Sequence, residues 1–185
     1  MDELKFAVIG NPVSHSLSPD IHLFFASQFQ LERYTYNKIK SNENDFERDI
    51  NDFFKNGGVG LNITVPFKSL AYNLCDELDQ SAGLCKSVNT VLIDSGKLIG
   101  HSTDGQGLID DFLHKKITLK DSKILIIGAG GSAASIISSL LHHGKIKKIS
   151  ILNRTKSNAL RLLDLFETNR LLMHEEGDEY DIVIN

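Results

Sequence analysis

Three short stretches carry side chains that can do chemistry. Gly60 to Lys68 reads GLNITVPFK, with Thr64 and Lys68 just beyond a strand-like run. Ser102-Thr103-Asp104-Gly105 supplies a carboxylate. Gly128-Ala129-Gly130-Gly131-Ser132-Ala133 is a glycine-rich turn between two apolar runs. A lysine and an aspartate beside a bound nicotinamide suit redox chemistry at a small alcohol. The side chains move a proton while the cofactor carries the hydride.

The glycine turn is the more specific signal, because its context fits. Lys123 to Ile127 reads as a buried strand and Ala133 to His143 as an apolar helix, so the pattern Gly128-x-Gly130-x-x-Ala133 is a dinucleotide fingerprint. The first glycine permits the turn, and the second lets backbone approach a pyrophosphate. Ala133 lets the helix pack close, and the helix N-terminus faces the phosphates. No Gly-Lys-Ser/Thr follows, which excludes a Walker loop. At the end of the next strand an acid would select NAD, but Asn153-Arg154-Thr155 stands there. Arg154 can pair with a 2′-phosphate and stack on adenine, while Thr155 can donate a hydrogen bond and cap the next helix. NADP is therefore favoured over NAD. A solvated arginine next to a helix cap is the structural alternative.

Lys68 follows Pro66-Phe67 at a strand-to-helix turn, and Asp104 sits in a first helical turn. A lysine held between a helix's positive end and a carboxylate can act as general acid and base. A surface lysine and an electrostatically favourable helix start explain the same residues. Ser16 and Ser18, in Ser14-His15-Ser16-Leu17-Ser18-Pro19, can present two hydroxyls to a polyol, or Ser18 can serve as an N-cap before Pro19. Asn62, Thr64 and Asn89 are polar at places where a purely structural sheet favours apolar types.

The elements that must hold these groups alternate between strand and helix. Strands are expected at Phe6 to Gly10, Tyr34 to Ile39, Val59 to Val65, Lys123 to Ile127, Lys148 to Leu152 and Tyr180 to Asn185, and a strand pair turns at Asp94-Ser95-Gly96. Helices are expected after Ser18, where Ile21, Phe24, Phe25 and Phe29 recur at helical spacing. Others are expected over Asp45 to Phe54, through Leu70 and Leu74, from Thr103 to about His114, and over Asn158 to Phe166. This is an α/β pattern with a boundary near residues 101 to 121. The last strand leaves about one mononucleotide half of a doubly wound domain.

Composition excludes several function classes. With 185 residues and a net charge of −4 from interspersed acids and bases, the chain lacks the basic surface expected for nucleic acid or a membrane patch. No apolar run approaches the roughly 20 residues that span a bilayer, and Met1 to Lys5 does not read as a signal peptide. Cys75 and Cys85 lack metal-site spacing and read as reduced thiols, and adjacent His142 and His143 would diverge on a helix, so no metal is expected.

Taken in order, NPVSHSLSP, GLNITVPFK, SVNT, STDG, GAGGSA and NRT resemble the shikimate dehydrogenase family along the whole chain. The resemblance implies an N-terminal α/β substrate domain over 1–104, binding shikimate and carrying catalysis. An incomplete Rossmann-like NADP-binding domain over 105–185 would follow it. It implies reversible reduction of 3-dehydroshikimate to shikimate with NADPH, in aromatic amino-acid biosynthesis in the cytoplasm. The partner is a small molecule, with no nucleic acid and no membrane; a homodimer stays open. By the same resemblance Ser16 and Ser18 hold the substrate carboxylate. Thr64, Lys68, Asn89 and Asp104 surround the ring hydroxyls, and Lys68 and Asp104 form the catalytic pair. Gly128, Ala129, Gly130, Gly131, Ser132 and Ala133 hold the pyrophosphate, and Asn153, Arg154 and Thr155 the 2′-phosphate end.

There are departures. Ser102 stands where the family usually has Asn, and Ala134 where a basic residue often follows the glycine turn, which would weaken phosphate binding. The family continues past this last strand with the rest of the nucleotide sheet, a nicotinamide pocket and a C-terminal helix. The chain is accordingly expected to keep substrate binding but to turn over poorly by itself. Two other readings stand beside the main one: a quinate/shikimate dehydrogenase, and a non-catalytic shikimate-binding module.

Overall fold

The computed structural model describes residues 3–143 and 145–185. In chain order the elements are β1 (Leu4–Gly10), α1 (Ser18–Gln28), β2 (Tyr34–Lys40), α2 (Phe46–Lys55), β3 (Gly58–Ile63), α3 (Lys68–Leu74) and β4 (Glu77–Leu78). They continue with α4 (Gln80–Cys85), β5 (Thr90–Asp94), β6 (Lys97–His101), α5 (Asp104–His114), β7 (Lys123–Ile127) and α6 (Gly131–His142). The last are β8 (Lys148–Leu152), α7 (Lys156–Phe166), β9 (Leu171–Met173) and β10 (Ile182–Ile184). The chain forms two compact units. The first runs to Gln80 and includes Val88–His101; the second comprises Ser81–Ser87 and Ser102–Asn185.

The first unit is built on a six-stranded sheet of order β2-β1-β3-β5-β6-β4. β1 pairs in parallel with both β2 and β3, while β5 runs antiparallel to β3 and to β6. A central parallel strand is covered on both faces, and β1 obeys: Ala7, Val8 and Ile9 are all buried. Phe46 and Phe67 lie with ring centroids 4.8 Å apart, and Phe67 is almost fully buried. The β5–β6 hairpin closes through Ser95 and Gly96, both at positive φ (51° and 79°), the backbone that a tight two-residue turn requires.

The apolar stripe of α1 does not form core. Phe24, Phe25 and Phe29 are 60%, 51% and 76% exposed, and Ala26 is the helix's buried residue. Helical spacing located the helix correctly, but its apolar residues form no buried face, because spacing alone does not supply a surface to cover them. Three short elements, β4, α4 and β9, escape the sequence reading, because two to six residues of mixed composition carry no measurable period.

The second unit holds a parallel sheet of order β10-β7-β8-β9. The chain steps from β7 through α6 to β8 and through α7 to β9, then returns to pair β10 on the other side of β7. That reversal creates a switch point beyond the carboxyl end of β7, where open α/β sheets receive ligands. Ile124, Ile137, Leu140, Ile149 and Ile151 are sealed at its centre. Ile149→Ala should lower the unfolding free energy by about 2–5 kcal/mol, because its cavity cannot be refilled by water-exposed neighbours. Urea titration followed by circular dichroism measures this, and a loss below about 1 kcal/mol would contradict a tightly packed centre.

Candidate active site

In the first unit the candidate side chains gather where parallel strands end. The loops that follow β1 and β3 leave from the same sheet edge and are stitched together. Thr64 N–H donates to the Ile9 carbonyl at 2.9 Å, and Asn11 N–H donates to the Val65 carbonyl at 2.9 Å. Gly10 makes this approach feasible: a Cβ there would strike Thr64 Cγ2 and lie 3.1 Å from the Val65 carbonyl oxygen. The Asn11–Pro12 and Val65–Pro66 peptide bonds are cis.

Lys68, half-buried, is the first residue of α3, as the turn after Pro66-Phe67 predicts. Its carbonyl accepts the Val88 N–H at 3.0 Å, one residue before Asn89. Asn89 is held from both sides. Its N–H donates to the His101 carbonyl at 3.0 Å, and its carbonyl accepts the Ile63 N–H at 2.8 Å. Thr64, Lys68 and Asn89 are thus brought together through main-chain bonds within one unit.

Ser16 and Ser18 form a local pair. Ser18 N–H donates to Ser16 Oγ at 3.2 Å, and Ser16 Oγ donates to Ser18 Oγ at 3.1 Å. Ser18 is not the N-cap that its place before Pro19 suggests. Leu17 occupies the cap position with no side-chain hydrogen bond, and Ser18 is already helical. Ser16 Oγ accepts the N–H of Ser18 itself, so the two half-buried hydroxyls are linked.

The residue that links this pair to the rest is Tyr36, which the sequence reading passed over as a strand position. Its hydroxyl donates to Asn62 Oδ1 at 2.7 Å, and its ring stacks on His22 with centroids 4.3 Å apart. Burial pushes the phenol up from 10.0 to about 12; a hydrogen bond with Ser18 works against that rise and the neighbouring Tyr34 adds to it. Burial also lowers the His22 imidazole, favouring its neutral form.

In the second unit Asp104 opens α5. The turn before it is fixed from below by buried hydroxyls. Ser135 Oγ accepts the Gly105 N–H at 3.0 Å and the Ser102 hydroxyl at 2.9 Å. Ser81 Oγ donates to the Ser102 carbonyl at 2.8 Å, and the Cys85 thiol donates to Ser102 Oγ at 3.3 Å. The sequence reading missed Ser135; its signal is a polar residue on the buried stripe of α6.

The glycine turn has the geometry its pattern demands. Gly128 takes φ +121°, reserved in practice for glycine, and its N–H donates to the Leu152 carbonyl at 2.9 Å. Gly130 is the N-cap of the 12-residue α6 and offers no side chain, while Ala133 and Ala134 pack inward. The strand ends enclose an open cleft of about 580 Å³ lined by Ile127, Gly128, Leu152, Asn153, Arg154 and Asn185. None of these six carries an acidic side chain. Arg154 is exposed at the cleft, and Asn153 Nδ2 donates to the Thr155 carbonyl at 2.8 Å. Thr155 sits at the N-cap of α7 but makes no side-chain capping bond, contrary to the cap expected of it. A glycine turn, a helix start and an arginine without a competing acid fit a dinucleotide bearing a 2′-phosphate.

The comparisons with known proteins agree along nearly the whole chain. Residues 8–91 match the family described as the shikimate dehydrogenase substrate binding domain, and residues 111–185 match the shikimate/quinate 5-dehydrogenase family. A shikimate dehydrogenase (NADP(+)) of Acinetobacter baumannii is 40% identical over 188 residues, covering 98% of this chain and 71% of that protein. One from Shewanella halifaxensis is 40% identical over 186 residues, with 98% of this chain and 66% of that protein covered. The chain therefore spans about two-thirds of these relatives' lengths. Among solved structures, a Thermus thermophilus shikimate 5-dehydrogenase in complex with NADP(H) and shikimate superposes with a TM-score of 0.86. It is 31% identical, and the match covers 97% of this chain and 67% of that one.

The raised Tyr36 value has a sign that can be tested. Unfolded Tyr36 ionises near 10 and folded Tyr36 near 12, so its contribution to stability is complete below pH 10 and is lost as pH rises toward 12. Tyr36→Phe should flatten part of the alkaline loss, read as urea midpoints at pH 9 and pH 11. An equally steep fall in the variant would count against the buried phenol.

Proposed function

The chain belongs to the shikimate dehydrogenase family, and on that premise we propose that the protein interconverts 3-dehydroshikimate and shikimate with NADP. The carrying observation is the set of main-chain bonds joining Thr64, Lys68 and Asn89 at one sheet edge. NADP(H) supplies or accepts the hydride when bound. The chain's own residues bind, orient and move the proton. Ser16 and Ser18 offer hydroxyl donors to the substrate carboxylate. Thr64 and Asn89 hold ring oxygens. In reduction the Lys68 ammonium gives a proton from Nζ to the oxygen that gains negative charge, and in oxidation the amine takes it back. Asp104 is the acidic member of this machinery and accepts from a ring hydroxyl. The backbone from Gly128 to Ala133 receives the pyrophosphate, and Asn153, Arg154 and Thr155 the 2′-phosphate end. Small-molecule partners and a cytoplasmic setting go with this reading.

The direct test follows NADPH formation at 340 nm with shikimate, and with quinate as the competing substrate. Slow shikimate-dependent reduction of NADP, still faster than with quinate, is expected of this chain; no turnover with either overturns the proposal. Lys68→Ala should lower kcat by about 10²–10⁴-fold with a smaller change in KM for NADP. Turnover close to that of the unaltered protein would remove Lys68 from the acid–base role. Arg154→Ala should weaken NADP by about 10–100-fold, the range of a lost charge-assisted pair, and leave NAD nearly unchanged. Equal losses for both cofactors would show that Arg154 does not read the 2′-phosphate.

A further inference from the structure

The polar side chains behind Asn89 form a chain of hydrogen bonds that runs in one direction. Tyr36 donates its hydroxyl to Asn62 Oδ1 at 2.7 Å. Asn62 Nδ2 donates to Thr90 Oγ1 at 3.1 Å and approaches the Asn89 carbonyl oxygen at 3.4 Å. Thr90 Oγ then donates to Asn89 Oδ1 at 3.1 Å. Every acceptor in the series is met by a donor, and all four residues belong to the first unit.

The direction is not arbitrary. A carboxamide can rotate by half a turn and exchange its oxygen and nitrogen at little steric cost. At Asn62 that exchange would bring an oxygen against the Asn89 backbone carbonyl, which can only accept. It would also set an amide NH₂ against Tyr36 in place of the acceptor at 2.7 Å, so the phenol proton would have to turn to Ser18. Both neighbours of Asn62 therefore favour the same orientation. Thr90 receives a proton from Asn62 and must send its own onward, and Asn89 Oδ1 takes it. With Oδ1 accepting from Thr90, the donor end of the Asn89 carboxamide is its NH₂.

We propose that Tyr36 and Thr90 are positioning residues that fix the Asn89 carboxamide as a hydrogen-bond donor to a substrate oxygen. Neither needs to touch substrate. The proposal rests on the assignment of Asn89 to the substrate site made above. It also gives a specificity rule. The position facing Asn89 favours an oxygen that accepts, and a ligand presenting only a donor there is disfavoured.

The test uses the protein with Tyr36→Phe, Thr90→Val, Thr90→Ser and the Tyr36→Phe/Thr90→Val pair. Steady-state kinetics give KM for shikimate and for NADP separately from kcat. Side-chain NH₂ resonances are recorded by ¹⁵N NMR, with that of Asn89 identified by its loss in Asn89→Asp. Tyr36→Phe and Thr90→Val should each raise KM for shikimate by about 5–20-fold, the scale of one reoriented neutral hydrogen bond. KM for NADP should stay put, and both variants should shift the Asn89 resonance. Thr90→Ser, which keeps the hydroxyl, should restore both readouts. The pair should lose little more than the worse single variant, because both break one chain. A lower melting temperature with unchanged KM and an unmoved Asn89 resonance would reduce Tyr36 and Thr90 to packing and overturn the proposal. If the unaltered protein shows no shikimate turnover, the functional reading falls. The NMR readout then decides by itself whether the chain sets Asn89.

Discussion

The parallel pairing of β1 with β3 is the constraint on which the first unit depends. Parallel neighbours end at the same edge, so the loops they feed must emerge side by side. One loop carries Ser16 and leads into Ser18 at the start of α1, the other carries Thr64 and leads into Lys68 at the start of α3. A hydrophobic requirement, the burial of Ala7, Val8 and Ile9 on both faces, thereby dictates where the polar groups appear. The register is equally binding, because a slip of one residue would turn Asn62 and Thr64 to the opposite face.

The second unit uses the same rule for a different ligand chemistry. Its strands are parallel throughout, and the reversal of order at β7 opens the place where Gly128 and Arg154 meet. Asp104 depends on burial of another kind. Its turn is anchored by Ser102 and Ser135, hydroxyls enclosed in an otherwise apolar neighbourhood that also includes Cys85. Buried polar groups tolerate few arrangements, since each unmet donor or acceptor is costly. A network of this type fixes a loop more sharply than apolar packing, which is non-directional.

Much of this was legible in the sequence wherever a signal is local. KILII for β7 and KISIL for β8 are short apolar runs between turns, and both strands lie where those runs do. The glycine turn announces its own backbone, and Lys68 opens α3 just past the break at Pro66, after β3 has ended at Ile63. Features that need a partner far along the chain were not legible. Tyr36 reaches Asn62 across 26 positions, and Asn62 reaches Thr90 across 28, so no window of sequence contains either pair. Ser18 looked like a cap because Ser-Pro-Asp is a good helix start, yet the helix begins one residue earlier than that reading requires, and Ser18's own N–H is taken by Ser16 Oγ. In α1 the period was right and the environment was not, since amphipathic spacing records which residues share a side and not what lies opposite.

The contact between Gly10 and Thr64 carries an evolutionary consequence. Gly10 is closed to larger residues by a side chain that stands at the chemical edge of the sheet. Drift at position 10 is therefore filtered through the side chain at position 64, although position 10 offers no side chain to any ligand. Among descendants of this chain the two sites should change as a unit or not at all, and a residue with no side chain inherits whatever selection acts on its neighbour.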